Sequence, residues 1–431
     1  MTRITYSPAC GCDGLFVDVP VESGSLVFSE APLNFLQSIP NKQDVPVCGS
    51  CYRFLGSIDT QVKLLRRVVS RGEGLLETRN DGCLLLSCSC GELYCNEDCK
   101  GDHYNRGHKY LCTGHLSEED AMKSPLVQFK IHAVQTNEIF LLVADIFAKV
   151  ITSVEGGVST SEAILPWNNY VRNMWHTVAV DKPSKKKSGG KKKSTSLSDT
   201  LRSLVTDSYT LLGDALQLQA KGLDGVLSEE YFSRTIGMFE QNNVGVRLDS
   251  PVLQQVHKVS TGATADVSSS YLLEVANEII AKLEDVFEDC SSEGCESSEE
   301  EEEEEGDDEG EKEVNESTNE ETINSGDASL DQLLTLLGEH GSEAIFPPLD
   351  GTAFYTKICK INHSCEPNCI VRYSSDPLTG ALVAQLFALR DLEPGQELLQ
   401  SYIDGAMSAK RRQEALADYG FVCRCARCKD A

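Results

Sequence analysis

Apolar and polar residues alternate near both ends of the chain, which predicts that β-structure frames the molecule. In the N-terminal part the alternation runs through residues 14–19 and resumes at 25–28, with turn residues at 22–24 between the two runs. This arrangement is typical of a β-hairpin that turns one face towards a core. In the C-terminal part strand-like alternation returns between residues 350 and 404. We therefore expect one β-rich core that is assembled from distant segments.

Helical periodicity dominates the middle of the chain. Between residues 118 and 180 apolar residues recur at a spacing of about 3.6, the period of an amphipathic helix. The expected core positions of this stretch are Val127, Ile131, Val134, Ile139, Leu142, Ala144, Ile146 and Val150. Periodicity resumes at 201–218, and residues 237–246 predict a further strand. The helical segments are therefore expected to interrupt the β-rich core as insertions.

Two strongly charged stretches are too polar to pack into a core. Residues 182–193 carry two lysine triplets around Ser-Gly-Gly and predict an exposed loop, with a nuclear-import patch or a nucleic-acid contact as alternatives. Residues 284–321 hold 21 acidic residues and one lysine, so most of the net charge of −28 lies there. Like charges repel, which predicts a disordered tract between helices at 271–287 and 330–337. The tract is either a solubilising linker or a polyanion mimic that binds basic partners such as histones.

The composition indicates a globular intracellular protein. At 431 residues with 40% hydrophobic residues, the chain has room for about two or three domains and a sizeable core. Its 18 cysteines occur in closely spaced pairs near histidines, which favours metal binding in a reducing compartment over a disulfide framework. Neither a signal-peptide pattern nor a run of about 18 apolar residues is present. We expect a protein of the nucleus, the cytoplasm or both, without membrane contact.

A cluster of potential metal ligands lies between residues 48 and 112. The eight ligands are Cys48, Cys51, Cys88, Cys90, Cys95, Cys99, His108 and Cys112. Seven thiols and one imidazole complete two four-ligand zinc sites. A module with so little apolar content needs metal to fold, because each zinc site supplies about 10 kcal/mol or more. The alternative is a set of free thiols in a core, and Cys83, His103 and His115 remain as spare ligands.

A third metal site is indicated near the C-terminus. Cys423, Cys425 and Cys428 offer three of the four thiolates that tetrahedral zinc requires. The natural fourth donor is Cys365, which lies in the segment 362–368. If that site closes, the C-terminal tail folds back over this segment and roofs a pocket. We expect the chemistry of the protein in that pocket.

Four motifs, in chain order, resemble the SET lysine methyltransferase pattern. They are Gly14-Leu15-Phe16, Asn362-His363-Ser364-Cys365-x2-Asn368, Gly395-x-Glu397-Leu-x2-Ser401-Tyr402-x-Asp404 and Cys423-x-Cys425-x2-Cys428. The eight-ligand cluster resembles a MYND zinc module, and a MYND module inserted into a split SET domain marks the SET-and-MYND family. The stretches 350–365 and 416–423 look most like the fifth subfamily of animals and a plant trithorax-related branch.

The resemblance implies an α+β fold with a β-rich SET core that contains a pseudoknot. A zinc-binding MYND module and helical insertions split this core, and a zinc-clipped post-SET tail closes it. The implied parts are the SET N-terminal part at 1–47, the MYND module at 48–112, a helical insertion with the lysine-rich loop at 113–236, a SET strand at 237–249, an insertion with the acidic tract at 250–345, the catalytic part of SET at 346–405 and the tail at 406–431.

The resemblance also implies an S-adenosylmethionine site. Asn362 and His363 would contact this cofactor, and the backbone near Gly14 and Leu15 would lie along it. Phe421 would stack on the adenine. Either Asn242 or Asn243 would supply another polar contact. Three zinc ions are expected, of which the third is held by Cys365, Cys423, Cys425 and Cys428.

Two tyrosines carry the implied chemistry. Tyr402 would lie beside the transferred methyl group, and Tyr419 would line the channel for the substrate lysine. Methyl transfer from a sulfonium is an in-line displacement, so the enzyme must align a neutral amine with the methyl carbon. Because a free lysine has a pKa of about 10.4, an apolar aromatic channel and the positive cofactor must favour its deprotonation. A core tyrosine with a satisfied hydroxyl is the alternative for Tyr402.

These features predict an S-adenosylmethionine-dependent protein-lysine N-methyltransferase that acts on histones or other basic proteins. The alternative is a non-catalytic adaptor whose MYND module binds proline-rich peptides. The family's Gly-x-Gly reads Cys12-Asp13-Gly14 here, and this replacement favours the adaptor. The intact tyrosines and Asn362-His363 favour the enzyme. Glu397 and Asp404 are expected to be structural, and Asn368 is expected to serve the fold.

Overall fold

The computed structural model describes residues 2–55, 86–179, 197–254, 335, 346–417 and 419–429. The described residues up to 248 and from 349 onwards belong to one compact unit, and the others belong to a second. The lysine-rich loop, the acidic tract and Cys83 lie outside the described residues, as do the two predicted flanking helices apart from Thr335. No helix in the described part is long and apolar enough to cross a membrane.

Strands lie near both ends of the chain, as the alternating pattern predicts. They are β1 (Thr2–Ser7), β2 (Cys12–Val17), β3 (Leu26–Glu30), β4 (Asn34–Gln37), β5 (Leu86–Ser87), β6 (Leu93–Tyr94), β7 (Val244–Leu248), β8 (Leu349–Phe354), β9 (Asn362–His363), β10 (Cys369–Ser375), β11 (Leu382–Ala388) and β12 (Leu399–Gln400). Segments far apart in sequence share sheets, in the orders β10-β11-β3 and β4-β8-β7. The described strands therefore form a β-rich core assembled from distant segments.

The predicted hairpin between residues 14 and 28 is wrong in its partners, although both strands exist. The first strand, β2, pairs antiparallel with β1, while β3 pairs with β11. The turn is present, since Ser25 N donates to Glu22 O at 3.1 Å and Gly24 adopts φ 78°. Alternation shows which face of a strand is buried but not which neighbour completes the sheet. Here distant segments supply the better partners.

Helices fill the middle of the unit. They are α1 (Asn41–Asp44), α2 (Glu97–His103), α3 (Lys109–Leu111), α4 (Glu118–Lys123), α5 (Pro125–Thr136), α6 (Ile139–Glu155), α7 (Thr160–Ala163), α8 (Leu165–Asn168), α9 (Trp175–Val178), α10 (Leu197–Leu216), α11 (Glu229–Asn242), α12 (Ala409–Ala417) and α13 (Ala426–Lys429). A π-helical turn at Tyr104–His108 and a 3-10 turn at Ile358–Lys360 complete the helical set. The helical prediction for residues 118–180 is thus confirmed in type.

Two of the expected core positions are wrong. Ile131 and Val134 are 46% and 44% exposed, while Phe129 and Ala133 on the same helix are fully buried. Helix α5 therefore turns the side with Phe129 and Ala133 towards the core. This short helix has apolar residues on several sides, so its rotation about its own axis is decided by the tertiary packing. The longer helix α6 buries Leu142, Ala144, Ile146 and Val150, as predicted.

Residues 237–242, predicted as part of a strand, form the last turns of helix α11, and the strand begins only at Val244. The helix is capped by Ser228, whose side chain accepts a hydrogen bond from the backbone of the first turn. Ile236 and Phe239 lie three residues apart and are both fully buried in the helical core. The strand thus begins seven residues later than predicted, and it pairs antiparallel with β8.

A polar network ties the helical insertion to the β-rich core. Trp167 Nε1 in α8 donates to Asn34 Oδ1 in β4 at 2.7 Å, and Asn34 Nδ2 donates to Asp145 Oδ2 in α6 at 2.6 Å. Lys149 Nζ lies 2.8 Å from the same carboxylate and donates to Leu33 O at 2.8 Å. Because Asn34 is fully buried, each of its partners is needed to satisfy it. The network fixes α8, and with it the loop that borders the site described next.

Candidate active site

A cavity of about 2090 Å³ lies inside the first unit, where the β1–β2 turn, the start of β7, the segment 356–364 and the tail meet. The predicted cofactor-binding and catalytic residues that line it are Asn242, Asn362, His363, Tyr402, Tyr419 and Phe421, and the predicted metal ligands Cys423 and Cys425 line it as well. Leu15 and Gly14, which were also predicted, are not among the residues that line the cavity. Leu15 is fully buried in the β-rich core, and Gly14 abuts the side chains of Asn362 and Glu397.

The central wall of the cavity is built by two short parallel strands. Strand β12 pairs with β9, placing Leu399 opposite Asn362 and Gln400 opposite His363. The buried side chain of Asn368 holds the start of β12, because its Nδ2 donates to Glu397 O at 2.7 Å and its Oδ1 accepts from Leu399 N at 2.8 Å. Asn368 thus ties β12 to the segment that joins β9 to β10, as expected of a residue that serves the fold.

The side chain of Asn362 is held by three neighbours. Its Nδ2 donates to Glu397 Oε1 at 2.8 Å and to Asp13 O at 3.2 Å, while its Oδ1 accepts from the Cys12 thiol at 3.4 Å. Glu397 is itself anchored by Ser7, whose Oγ donates to Oε2 at 2.6 Å. The amide is therefore oriented before any ligand arrives. From the sequence, Glu397 was expected to have only a general structural role, and the one signal of its importance was its position two residues after Gly395.

The His363 ring lies between the backbone of Tyr402 and Cys365, the residue expected to join the tail cysteines in a metal site. Its Nδ1 accepts the backbone N–H of Tyr402 at 3.0 Å, and its Nε2 lies 3.3 Å from Cys365 Sγ. Burial, together with the charge of Arg412, lowers the pKa of His363 to about 4, so the ring is neutral near pH 7. A neutral ring that accepts at Nδ1 carries its proton at Nε2 and donates towards the Cys365 sulfur.

Four aromatic rings converge at the centre of the cavity. The Tyr402 ring centroid lies 5.1 Å from Tyr419, 5.3 Å from His363 and 6.3 Å from Phe421. The Tyr402 hydroxyl donates to Ile361 O at 2.6 Å. Burial raises the pKa of Tyr402, so the hydroxyl remains protonated and its direction is set by that carbonyl. Tyr419 stays 37% exposed and is the outer member of the group.

Asn242 lies at the cavity beside Asn243, but backbone groups already use its amide. Its Nδ2 donates to Met238 O at 2.7 Å and to Val171 O at 3.0 Å. These contacts join the end of helix α11 to the loop after α8, and they leave the side-chain carbonyl for a ligand. The cofactor contact expected of Asn242 or Asn243 stays a prediction.

Three groups of Cys and His residues could each hold a metal ion. They are Cys48, Cys51, Cys95 and Cys99; Cys88, Cys90, His108 and Cys112; and Cys365, Cys423, Cys425 and Cys428. Within each group the ligand atoms lie within 4.8 Å of one another. Tetrahedral zinc with bonds of about 2.3 Å requires sulfur atoms about 3.8 Å apart, so these four-donor sets fit zinc.

The structure divides the eight ligands of the predicted MYND module in an alternating way. The first and third pairs of ligands along the chain form one group, and the second and fourth pairs form the other. The Cys51 and Cys95 sulfurs lie 3.8 Å apart, and Cys90 Sγ lies 3.4 Å from His108 Nε2. His103 stays outside both groups and contacts the Tyr94 hydroxyl at 2.9 Å. Sequence spacing alone left this division open.

Arg412 is a neighbour of the tail group that the sequence analysis missed. Its side chain is 3% exposed, Nη1 donates to Met407 O at 2.8 Å, and Nη2 lies 3.8 Å from Cys428 Sγ. Four thiolates around one zinc ion carry a net negative charge, and an adjacent guanidinium offsets it. The arginine pattern of helix α12 gave no signal of this role, because three basic residues follow one another there.

Comparisons with known proteins agree with this geometry. The family described as "SET domain" matches residues 275–403. The histone-lysine N-methyltransferase ATXR2 of Arabidopsis thaliana is 24% identical over 483 residues, which cover 96% of this chain and 87% of that protein. The histone-lysine N-methyltransferase SET5 of Meyerozyma guilliermondii is 42% identical over 83 residues, 19% of this chain and 17% of that protein. The histone-lysine N-methyltransferase SMYD3 of Homo sapiens is 39% identical over 80 residues, 18% of this chain and 17% of that protein.

Proposed function

Since residues 275–403 match the SET domain family and the comparisons support a protein-lysine methyltransferase, we propose that the chain is of the SET-and-MYND type and transfers a methyl group from S-adenosylmethionine to a lysine of a histone or another basic protein. The observation that carries this proposal is the convergence of Tyr402, Tyr419 and Phe421 on one cavity with the oriented side chain of Asn362. A core tyrosine would not need that setting. The cavity also brings the segment that starts at Asn362 together with the tail residues Tyr419 and Phe421, which are distant in sequence.

In the proposed reaction the cofactor supplies an electrophilic methyl group on a sulfonium. The protein contributes alignment and exclusion of water. Tyr402 and Tyr419 wall the channel with aromatic surface, which disfavours the charged form of a lysine amine that enters it. The hydrogen bond from Tyr402 to Ile361 O holds the hydroxyl in one direction beside the reacting centre. Alignment of this kind removes much of the entropic cost of a bimolecular step.

The three Cys and His groups would each hold one zinc ion in the proposed enzyme. The tail group matters most for catalysis, because Tyr419 and Phe421 precede Cys423 by only a few residues. The other two would fold the MYND module. Its binding to proline-rich peptides, the basic partners of the acidic tract and the nuclear or cytoplasmic location stay predictions.

The feature that favoured an adaptor is accommodated in the described structure. Cys12 replaces a glycine of the family pattern, yet its thiol lies at the cavity edge and donates to Asn362 Oδ1 at 3.4 Å. The cavity remains about 2090 Å³ in volume. The altered turn therefore adds a contact to the site, which supports the enzyme over the adaptor.

Cofactor binding and methyl transfer test the proposed function directly. We expect titration calorimetry to show one S-adenosylmethionine per chain, with a dissociation constant in the range of about 1 μM to 1 mM typical of enzyme substrates. Labelled methyl groups should reach lysine in a panel of histones and cell-extract proteins. Absence of both binding and transfer would contradict the proposal and favour the adaptor.

Replacing Gly14 by alanine is expected to weaken cofactor binding about tenfold or more. A Cβ at Gly14 would lie 2.3 Å from Glu397 Oε1 and 2.9 Å from Asn362 Nδ2, so one of these side chains must move. Because Asn362 depends on Glu397, the shift disturbs the proposed cofactor contact. Calorimetry measures the effect, and Gly225→Ala is the matched control, since a Cβ there meets nothing within 4 Å. If Gly14→Ala and Gly225→Ala bound the cofactor with equal affinity, this role of Gly14 would be contradicted.

A further inference from the structure

A buried lysine borders the cavity beside the Asn362 segment. Lys360 ends the 3-10 turn Ile358–Lys360 and lies two residues before Asn362. Its side chain is only 9% exposed, and it lines the cavity. Burying an ammonium group carries a large desolvation cost unless it is paired or hydrogen-bonded. The position therefore calls for a partner that matches its charge.

The described contacts of Lys360 compensate its charge only in part. Its Nζ donates to Asn169 O and lies 4.1 Å from the centroid of the Tyr170 ring. The nearest carboxylate oxygen, Asp13 Oδ2, is 3.7 Å away, which is longer than a hydrogen bond. The Asp13 side chain is also 51% exposed, so solvent weakens this ion pair. Of the three N–H donors of the ammonium, these contacts occupy one with a hydrogen bond.

Few other cations are available to a ligand in this cavity. Among the described residues that line it, lysine and arginine side chains come only from Lys360 and Arg424. Arg424 is exposed on the tail, between two cysteines of the third metal group. Lys360 is the buried one of the two. A carboxylate that enters the cavity would therefore find its strongest site at Lys360.

Contacts through Tyr402 connect this cation to the expected adenine partner. Phe421, the expected adenine partner, lies on the tail at one side of Tyr402, with ring centroids 6.3 Å apart. Ile361, whose carbonyl accepts the Tyr402 hydroxyl, follows Lys360 directly in the chain. An adenine group, a methyl sulfonium and an amino-acid carboxylate follow one another in S-adenosylmethionine. The order Phe421, Tyr402, Lys360 matches that sequence of groups.

We propose that the Lys360 ammonium binds the carboxylate of the cofactor's methionine moiety and so makes this cavity selective for cofactors that carry a carboxylate. The proposal rests on the proposed function and adds a residue that recognises one end of the cofactor. The Asp13 carboxylate, whose Oδ2 lies 3.7 Å from Lys360 Nζ, would pair with the ammonium of the same amino-acid moiety.

Decarboxylated S-adenosylmethionine, which lacks only this carboxylate, tests the assignment. Calorimetry on the full chain, without protein substrate, should show that the wild type binds S-adenosylmethionine about 10- to 100-fold more tightly than the decarboxylated compound, the range expected for one charge-assisted hydrogen bond. Lys360→Met should lose that factor for S-adenosylmethionine and keep its affinity for the decarboxylated compound. The ratio of the two affinities then falls close to one.

The ratio separates recognition from structural damage. If Lys360 only holds the Asn169 loop, Lys360→Met weakens both compounds equally and leaves the ratio unchanged, which overturns the assignment. Lys360→Gln can still donate to Asn169 O, and it replaces the Met variant in the test should that variant fail to fold. If the affinity ratio fell to about one in Arg424→Met and stayed at the wild-type value in Lys360→Met, the carboxylate would bind at the tail. That result would also overturn the assignment to Lys360.

A matched control is provided by Lys357, three residues earlier in the same segment. Its Nζ lies 5.2 Å from the centroid of Phe28 and it is not among the lining residues. Lys357→Met should keep both affinities, and a changed ratio there would count against a specific role of Lys360. A wild type that binds neither compound would contradict the proposed function itself, and the carboxylate assignment with it.

Discussion

Replacing Tyr402 by phenylalanine is expected to lower the rate of methyl transfer about 100-fold or more, the cost typical of removing one oriented hydrogen-bond donor from an active site. The hydroxyl donates to Ile361 O at 2.6 Å and sits among the aromatic rings that line the cavity. Phenylalanine keeps the ring and its packing but loses the oriented oxygen. The cofactor should still bind, because Asn362 and its anchor Glu397 are unchanged.

The Tyr402→Phe test requires separate measurements of rate and cofactor affinity. Labelled methyl transfer gives kcat and KM for a protein substrate, and calorimetry gives the cofactor dissociation constant. Tyr209→Phe is the matched control, since Tyr209 packs against Phe232 in the helical core, away from the residues that line the cavity. A Tyr402→Phe enzyme with the kcat of the wild type would show that the hydroxyl has no part in the reaction. An equal loss in Tyr209→Phe would attribute the effect to general destabilisation.

Replacing Cys365 by serine is expected to abolish most methyl transfer, with a loss of about 100-fold or more, although we place Cys365 against neither cofactor nor substrate. Loss of one ligand should empty the tail site, and losses of this order follow even from damage to the neighbours of metal ligands. The tail then loses the bond that sets Tyr419 and Phe421 at the cavity. Cys365 Sγ also contacts His363 Nε2 at 3.3 Å, so the link to the Tyr402 backbone is disturbed as well.

Metal content distinguishes this explanation from simple unfolding. The zinc content, measured by mass spectrometry, should fall in Cys365→Ser from three ions per chain to two. Three is the number of Cys and His groups in the described part. Cofactor affinity should fall in parallel. Cys369→Ser is the matched control for the loss of a buried thiol at the same cavity, because Cys369 lies four residues later, is equally buried, also lines the cavity and belongs to none of the three groups. It should keep three zinc ions. Normal cofactor affinity and transfer in Cys365→Ser would refute the closure of the tail over the site.

Much of the site could be predicted from the sequence because its groups are local motifs. Asn362, His363 and Cys365 lie within four residues, and Cys423 to Cys428 within six. The spacing of the cysteines indicated metal chemistry, and the family resemblance of the motifs implied the cofactor contacts. The structure gathers all twelve predicted ligands into three groups. It also places Tyr402, Tyr419 and Phe421 at one cavity, although their roles in catalysis remain proposals.

The residues that the sequence analysis missed act through long-range contacts. Ser7 donates to Glu397 across 390 positions of sequence, and the contact of Cys12 with Asn362 spans 350. Lys360 looks like an ordinary surface lysine in the sequence, with Lys357 three residues before it, yet it is buried beside Asn169, 191 positions away. No local pattern encodes such partners, because they depend on how distant strands pair.

The sequence by itself determined the kinds of element at both ends of the chain, the candidate metal ligands and the order of the motifs that resemble the family pattern. Each of these depends on spacing within a few residues, where covalent geometry links position to direction. Only the tertiary structure decided that β2 pairs with β1, that the eight module ligands alternate between two groups, and that Glu397 and Lys360 face the cavity. The physical reason is that sheet partners and buried charges are selected by the total packing of the chain, in which many distant contacts compete and no single segment holds the outcome.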